Sequence, residues 1–239
     1  MNWHWRYLQQ AAWTRELRTY LFGQAGAPNA KRVLEVGCGT GAVLQELISP
    51  ASLHGLDIQP AALAECGDHV PAARLTRGDA HLLPYPDRSF DIVYCHFLLL
   101  WVNDPLQVVR EMARVGNTVL ALAEPDYSQR IDEPEALRDL GRWQMEALKK
   151  QGANPAFGAR LAETFHQAGL TIVETGPIQS METKRSTDEW ENEWAVIEAD
   201  LADSISETEI QKMKALDEQA RRQGKRILHV PTFFAWGKI

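Results

Sequence analysis

The chain has 239 residues, 45% apolar and 24% charged, enough to bury one large core in an ordinary soluble fold. A formal net charge of −7 offers no basic footprint and weighs against affinity won by neutralising phosphates, so no nucleic-acid partner is expected. No apolar run reaches the length of about 18 residues that a membrane span needs.

The first 25 residues read as one helix, with Trp5, Leu8, Ala12, Trp13, Leu17, Tyr20 and Leu21 at near-helical spacing. They lack the apolar stretch of a secretory signal, and Gly23, Gly26 and Pro28 end the pattern. From Arg32 onward short apolar runs alternate with helical stretches, the pattern of βαβ units. Val33 to Val36 is a strand. A glycine loop follows, then a helix marked by Val43, Leu44, Leu47 and Ile48 and ended by Pro50.

Leu53 to Leu56 is the second strand, Ala61 to Glu65 a short helix, Arg74 to Arg77 the third strand and Phe90 to Tyr94 the fourth. Asp104 before Pro105 signals a helix start, and Thr118 to Ala123 is the fifth strand. Pro134 opens a helix through about Lys150, a further helix runs near Ala159 to Ala168, and Leu170 to Glu174 is a sixth strand. Ser186 with Glu189 and Ser206 with Glu209 have capping-box spacing ahead of two helices. The last strand, Ile227 to Trp236, is interrupted by Pro231.

The expected fold is thus α/β, a doubly wound and mostly parallel seven-stranded sheet. Residues 1–30 form a helical cap, 31–181 the core, 182–226 a helical insertion acting as a lid, and 227–239 the final strand. Cys38, Cys66 and Cys95 show no zinc or disulfide spacing, so no metal is expected and a reduced, cytoplasmic setting is. The oligomeric state is left open.

The sharpest local signal is the run from Val33 to Gly41, in which a β-prone stretch leads into glycines at 37, 39 and 41. Such a loop turns tightly and lets a ligand approach the backbone. Asp57 and Asp79 fall at the ends of the second and third strands, and Glu35 near the end of the first. In a doubly wound sheet these ends face the ligand crevice. A carboxylate at Asp57 suits a pair of ribose hydroxyls, and one at Asp79 an adenine amino group.

Val33 to Gly41, Leu56-Asp57-Ile58, Arg77 to Ala80 and Leu83 to Val93 together resemble the class I methyltransferases, most closely the small-molecule group that includes ubiquinone/menaquinone-biosynthesis enzymes. The resemblance covers about residues 31 to 124 and implies S-adenosylmethionine as cofactor. It implies that Gly37, Cys38 and Gly39 line the methionine portion, Asp57 and Ile58 the ribose, and Asp79 and Ala80 the adenine. It also implies that Glu35 acts on the loop or the amino group, and that Cys95 and His96 flank the transferable methyl. A nicotinamide dinucleotide is the competing cofactor, but the glycine spacing is one residue tighter than its fingerprint.

Methyl transfer from a sulfonium is an in-line displacement that gains much from positioning, and needs a base only when the acceptor loses a proton. The candidate catalytic groups are His96 and, in the turn after the fifth strand, Asp126 and Tyr127, with Glu124 beside them. Tyr7, Gln10 and Trp13 of the N-terminal helix are candidates for contact with cofactor or acceptor, as an aromatic face attracts a sulfonium. Trp190, Trp194, Phe233 and Phe234 are candidates either for an aromatic acceptor pocket or for core packing. The expected reaction methylates O, N or C of a small molecule. Methylation of tRNA or protein, and non-catalytic binding of the cofactor, stand as alternatives.

Overall fold

The computed structural model describes residues 3–47, 51–178 and 187–239. Two short helices open the chain, α1 (Trp3–Ala12) and α2 (Arg15–Gln24). The single expected helix is therefore broken at residues 13–14, and its buried face is also not the expected one. His4, Ala11, Thr14, Arg18 and Leu21 are buried, whereas Trp5 is 68% exposed and Trp13 and Tyr20 lie outside.

The core strands are β1 (Arg32–Val36), β2 (Ser52–Asp57), β3 (Arg74–Arg77), β4 (Phe90–Cys95) and β5 (Gly116–Pro125). Between them run α3 (Pro60–His69) and α4 (Pro105–Val115). After β5 come β6 (Ile131–Glu133), α5 (Arg138–Lys150), α6 (Leu161–Gln167) and β7 (Thr171–Pro177), then α7 (Thr187–Leu201), α8 (Glu207–Arg222), β8 (Ile227–His229) and β9 (Thr232–Lys238). Beyond β1, among the described residues, a 3-10 turn at Leu44–Glu46 stands where a helix is expected. Ile48 and Pro50 lie outside the described residues.

Seven strands make one sheet in the order β3–β2–β1–β4–β5–β9–β7, parallel from β3 to β5, with β9 antiparallel to both its neighbours. This is the expected doubly wound α/β architecture. In β5 every residue but Asn117 is buried, as in a parallel strand covered on both faces. Asp104 caps α4 by accepting from the Gln107 N–H at 3.0 Å, with Pro105 at the first helical position. The chain leaves β1 toward β2 on one side and later returns to β4 on the other. A crevice opens at such a reversal of strand order, outside the carboxyl ends of β1 and β4.

The end of the chain departs most from expectation. The strand expected over 227–236 is two strands split at Pro231: β9 enters the main sheet, and β8 pairs with the unexpected β6 in a separate two-stranded sheet. Pro134 precedes a 3-10 turn, so α5 begins at Arg138. The capping box at Ser206 forms, its side chain accepting from the Glu209 N–H, whereas the one expected at Ser186 lies outside the described residues. No helix of the described residues is long and apolar enough to cross a membrane.

A buried ionic network joins these last elements. Asp132 of β6 accepts from Arg130 at 2.6 Å and from Arg226 at 2.7 Å. Arg226 also binds Asp217 of α8, which in turn accepts from the indole N–H groups of Trp190 at 2.5 Å and Trp194 at 3.0 Å. Trp190 and Trp194 are thus core residues of the α5–α7–α8 cluster rather than walls of an aromatic pocket. Phe234 is likewise buried under the sheet. Replacing Asp217 removes one of the two carboxylates that hold the buried Arg226 guanidinium and strands two indole donors. Asp217→Ala is expected to lower stability by about 3–5 kcal/mol in urea unfolding; a loss below about 1 kcal/mol would show that the network is not a keystone.

Candidate functional site

The glycine loop leaves β1 at the reversal of strand order, and its shape follows from its residues. Gly37 has φ +73°, and a Cβ there would meet the Leu98 side chain at 2.7 Å. Gly39 has φ +50°, and a Cβ there would meet nothing nearer than the Tyr7 ring at 3.9 Å. One face of the loop is thus pressed against the chain after β4, and the other is open up to an aromatic ring of α1.

Asp57, at the end of β2, sets the loop. Its Oδ2 accepts from the Gly39 N–H at 2.8 Å and its Oδ1 from the Gln59 N–H at 2.9 Å. A carboxylate offers about four acceptor sites, so one remains on each oxygen. That is the donor–acceptor requirement of a vicinal diol. Ile58 beside it is 59% exposed, an apolar surface at the crevice rim. Asp79, at the end of β3, holds its own loop, with Oδ1 accepting from the His81 backbone N–H at 2.9 Å and lying 2.7 Å from His81 Nδ1. Those contacts lower its pKa, so it is ionised at neutral pH. Ala80 is buried.

Three of the expected contacts are corrected. Cys38 turns its side chain inward, among Leu44, Cys66 and Val70, so only its backbone belongs to the loop. A hydrogen bond with Cys66, then burial, pushes its thiol pKa up. Glu35 is 2% exposed and accepts from the Tyr94 hydroxyl at 3.0 Å, inside the sheet; burial raises its pKa well above the carboxylate range. Cys95 is fully buried, with Glu124 4.0 Å from its sulfur, and burial pushes its pKa up as well. Neither Glu35 nor Cys95 offers a side chain to the crevice.

The end of β4 is built with strain. Phe97 has φ +53°, rare for a bulky residue, and donates its N–H to Ala123 O at 2.9 Å. The backbone N–H groups of Leu98, Leu99 and Leu100 then converge on the Glu124 carboxylate at 3.0, 3.0 and 3.3 Å. Burial raises the Glu124 pKa to about 7, against those three donors, which lower it. Glu124 is thus the cap that shapes this turn.

His96 lies at the same strand end, half-buried, its Nε2 3.0 Å from Thr14 Oγ1. Burial and then Arg18 push its pKa down to about 3, so it is neutral at working pH. A base that weak is poorly matched to proton abstraction near neutrality. Asp126 is also engaged. Its carboxylate accepts from Ser128 N–H and O–H, Gln129 Nε2 and Ala159 N–H, which makes it a turn former rather than a base.

Tyr127 begins the surface past β5. It lines a cavity of about 360 Å³ with Ser128, Arg130, Asp132, Arg138 and Arg142 among its walls. Arg6 of α1 and Glu193 and Asp200 of α7 all act electrostatically on its hydroxyl. Charges of both the cap and the insertion thus bear on Tyr127.

The cap holds the loop at several points. Tyr7 lies over Gly39, and the Asp57 charge reinforces burial in raising its pKa. Arg18 is buried and binds Glu46, in the 3-10 turn beyond the loop, while also donating to Thr14 Oγ1 at 2.5 Å. Gln10 is half-buried, and its carbonyl accepts from the Trp13 N–H at the helix end. Trp13 carries the Arg6 guanidinium 5.4 Å over its ring, facing outward rather than into the crevice. Thr14, Arg18 and Glu46 escaped the sequence reading. Their only signal was a Thr and an Arg four residues apart on an assumed solvent face.

Comparison with known proteins bears on this arrangement. Residues 34–118 match the model of a methyltransferase domain. The malonyl-[acyl-carrier protein] O-methyltransferase of Halorhodospira halophila is 34% identical over 120 residues, 47% of this chain and 39% of that protein. The demethylmenaquinone methyltransferase of Shouchella clausii is 35% identical over 117 residues, 45% of this chain and 48% of that protein. The chain thus spans about half the length, or less, of these relatives. A solved structure from Anabaena variabilis, described as a methyltransferase of an antibiotic biosynthesis pathway, shares the fold at TM-score 0.66 and 14% identity, covering 94% of this chain and 97% of that one. The domain match falls on the loop, the acidic strand ends and the crevice between them, so residues 34–118 carry the likeness to a methyltransferase domain.

Proposed function

We propose that the chain transfers a methyl group from S-adenosylmethionine to O, N or C of a small molecule. The observation that carries this reading is the crevice itself. At the β1–β4 reversal, an open glycine loop stands beside a carboxylate, Asp57, that retains an acceptor site on each oxygen. When bound, the cofactor supplies an electrophilic methyl on a sulfonium. The chain's residues then hold and orient: Asp57 accepts from the ribose hydroxyls, Asp79 from the adenine amino group, and the backbone of Gly37 to Gly39 follows the methionine portion. Tyr7 lies over the loop and offers its ring to the cationic end.

The acceptor belongs, in this reading, in the 360 Å³ cavity beyond Tyr127, a volume suited to a small metabolite. His96 is held too weakly basic and Asp126 is saturated by donors, so neither is poised as a strong base. Acceleration therefore rests on alignment. The relatives named for malonyl-carrier and demethylmenaquinone substrates favour a metabolite acceptor, and the net charge of −7 weighs against an RNA acceptor. A reducing, cytoplasmic setting follows from three unpaired buried cysteines.

Calorimetric titration tests the cofactor directly. S-adenosylmethionine and S-adenosylhomocysteine are expected to bind and NADH is not; the reverse would replace the family's cofactor with a dinucleotide. Transfer of labelled methyl from the cofactor into a metabolite extract, but not into total RNA or protein, supports the small-molecule reading. Label in RNA or protein overturns it, and tight binding with no transfer to any pool makes the chain a binder.

Asp57→Ala removes both the loop prop and the diol acceptor. It is expected to weaken S-adenosylhomocysteine binding about 10–100-fold, the worth of a hydrogen bond to a charged group. An unchanged affinity would remove Asp57 from the site.

The half-buried His96 at the end of β4 and the buried Glu124 of β5 also predict a pH signature. His96, at about 3 when folded, protonates first in the unfolded chain, so it costs stability as pH falls below about 6.5. Glu124, at about 7 when folded, protonates first in the folded chain, so its contribution grows as pH falls from about 7 toward 4.5. Between pH 7 and 5 the two oppose. His96→Gln is expected to gain stability over that window and Glu124→Gln to lose it, each by up to about 1.4 kcal/mol per pH unit in urea titrations. Parallel pH profiles for parent and both variants would contradict the described burial.

A further inference from the structure

We propose that His4, Glu65 and His69 form a site for a divalent ion of the zinc type, joining α1 to α3 beside the glycine loop. Glu65 and His69 stand four residues apart on α3, so they project from one face of the helix. Their nearest ligand atoms, Oε1 and Nε2, are 3.8 Å apart. The third group comes from α1: the buried His4, whose ring stacks on that of His69 at 3.5 Å between centroids and 13° between planes. One ligand atom from each of the three lies within 4.8 Å of the other two.

The ligand set and its support suit an ion of this class. Two imidazoles and a carboxylate are the donors that zinc, cobalt or nickel accept, with water completing four-coordination. His4 Nδ1 lies 2.8 Å from Thr40 Oγ1. With Nδ1–H donating to that hydroxyl, Nε2 keeps its lone pair, and the ring is oriented as metal-bound histidines are by their outer partners.

Bonds of about 2.0–2.2 Å in tetrahedral geometry place ligand atoms roughly 3.3–3.5 Å apart, so closure needs a contraction of up to about 1.5 Å. The stacked rings hold their lone pairs in nearly parallel planes, so one ring must turn to share an ion. His69 is the one free to turn, with its side chain 35% exposed at the end of α3, while His4 is held by Thr40. Bound there, the ion would fix α1 at His4, three residues before the Tyr7 ring that lies over Gly39. The site would thus secure the cap where it covers the loop.

Chelator-treated, tag-free protein titrated calorimetrically with zinc, and by visible absorption with cobalt, tests the proposal. A single ion per chain is expected at micromolar affinity or tighter, with the intense absorption of a tetrahedral cobalt site. His69→Ala and Glu65→Gln are each expected to weaken binding at least tenfold while leaving the far-UV circular dichroism unchanged. Absence of saturable binding by the parent, or undiminished binding in both variants, overturns the site. S-adenosylhomocysteine titrated in the presence of chelator reports on the methyltransferase reading separately, so the failure of either proposal leaves the other standing.

Discussion

The bond from the Gly39 N–H to the Asp57 carboxylate is the contact on which the site depends. It crosses from the loop after β1 to the end of β2 at 2.8 Å, and it holds in place a backbone that only glycine adopts easily. Among the described residues a 3-10 turn, not an α-helix, follows the loop. The loop therefore has no helical dipole behind it and relies on side chains. Asp57 props it from the sheet, Leu98 packs beneath Gly37, and the cap holds it from above. An S-adenosyl ligand carries no phosphate, so a loop shaped by a carboxylate and an open face is sufficient where a pyrophosphate would call for aligned helix N–H groups.

The rest of the chain supports this crevice through two different kinds of interior. Under the sheet the core is apolar, built by β4, β5, α4 and α6. Beyond β5 the α5–α7–α8 cluster is instead threaded by a chain of buried charges from Arg130 through Asp132 and Arg226 to Asp217. Ion pairs of this sort add little net stability over apolar packing, but removing one member leaves others stranded. That asymmetry favours one arrangement of β6, β8 and α8 over alternatives. It also fixes the surface past Tyr127, where the acceptor is proposed to sit.

Much of the sheet was legible because its strands are short apolar runs ended by glycine, proline or aspartate, as at Val33 to Gly37 and Leu53 to Asp57. The cofactor side was legible for the same reason: strand ends are where function sits in this architecture, and Asp57 and Asp79 are there. What was hidden has identifiable causes. Glu35 sits at a strand end by sequence, but the pleat turns it inward to Tyr94. Asp126 looked like a catalytic acid because sequence does not display the four donors that surround it. The β6–β8 ribbon was invisible because its strands have three residues each and meet across almost a hundred positions. The cap's buried face was misread because its inward positions include His4, Thr14 and Arg18, polar groups that periodicity assigns to solvent.

That last misreading carries a physical lesson about the cap. α2 is anchored by apolar burial, with Leu21 enclosed and Leu17 and Phe22 packed against the second core. α1 is different: the only residues it buries are His4 and Ala11, its Trp3 and Trp5 face outward, and Tyr7 is only partly covered. Its hold on the body comes from polar and ring contacts, His4 with Thr40 and His69, and Tyr7 over Gly39. Segments with little apolar burial open at low free-energy cost, while those with enclosed side chains open only with the core. α1 is therefore the element of the cap that can lift from the loop while α2 stays in place. A cofactor enclosed beneath it needs such an element to enter and leave, and the polar face that misled the pattern is what lets a single helix do this.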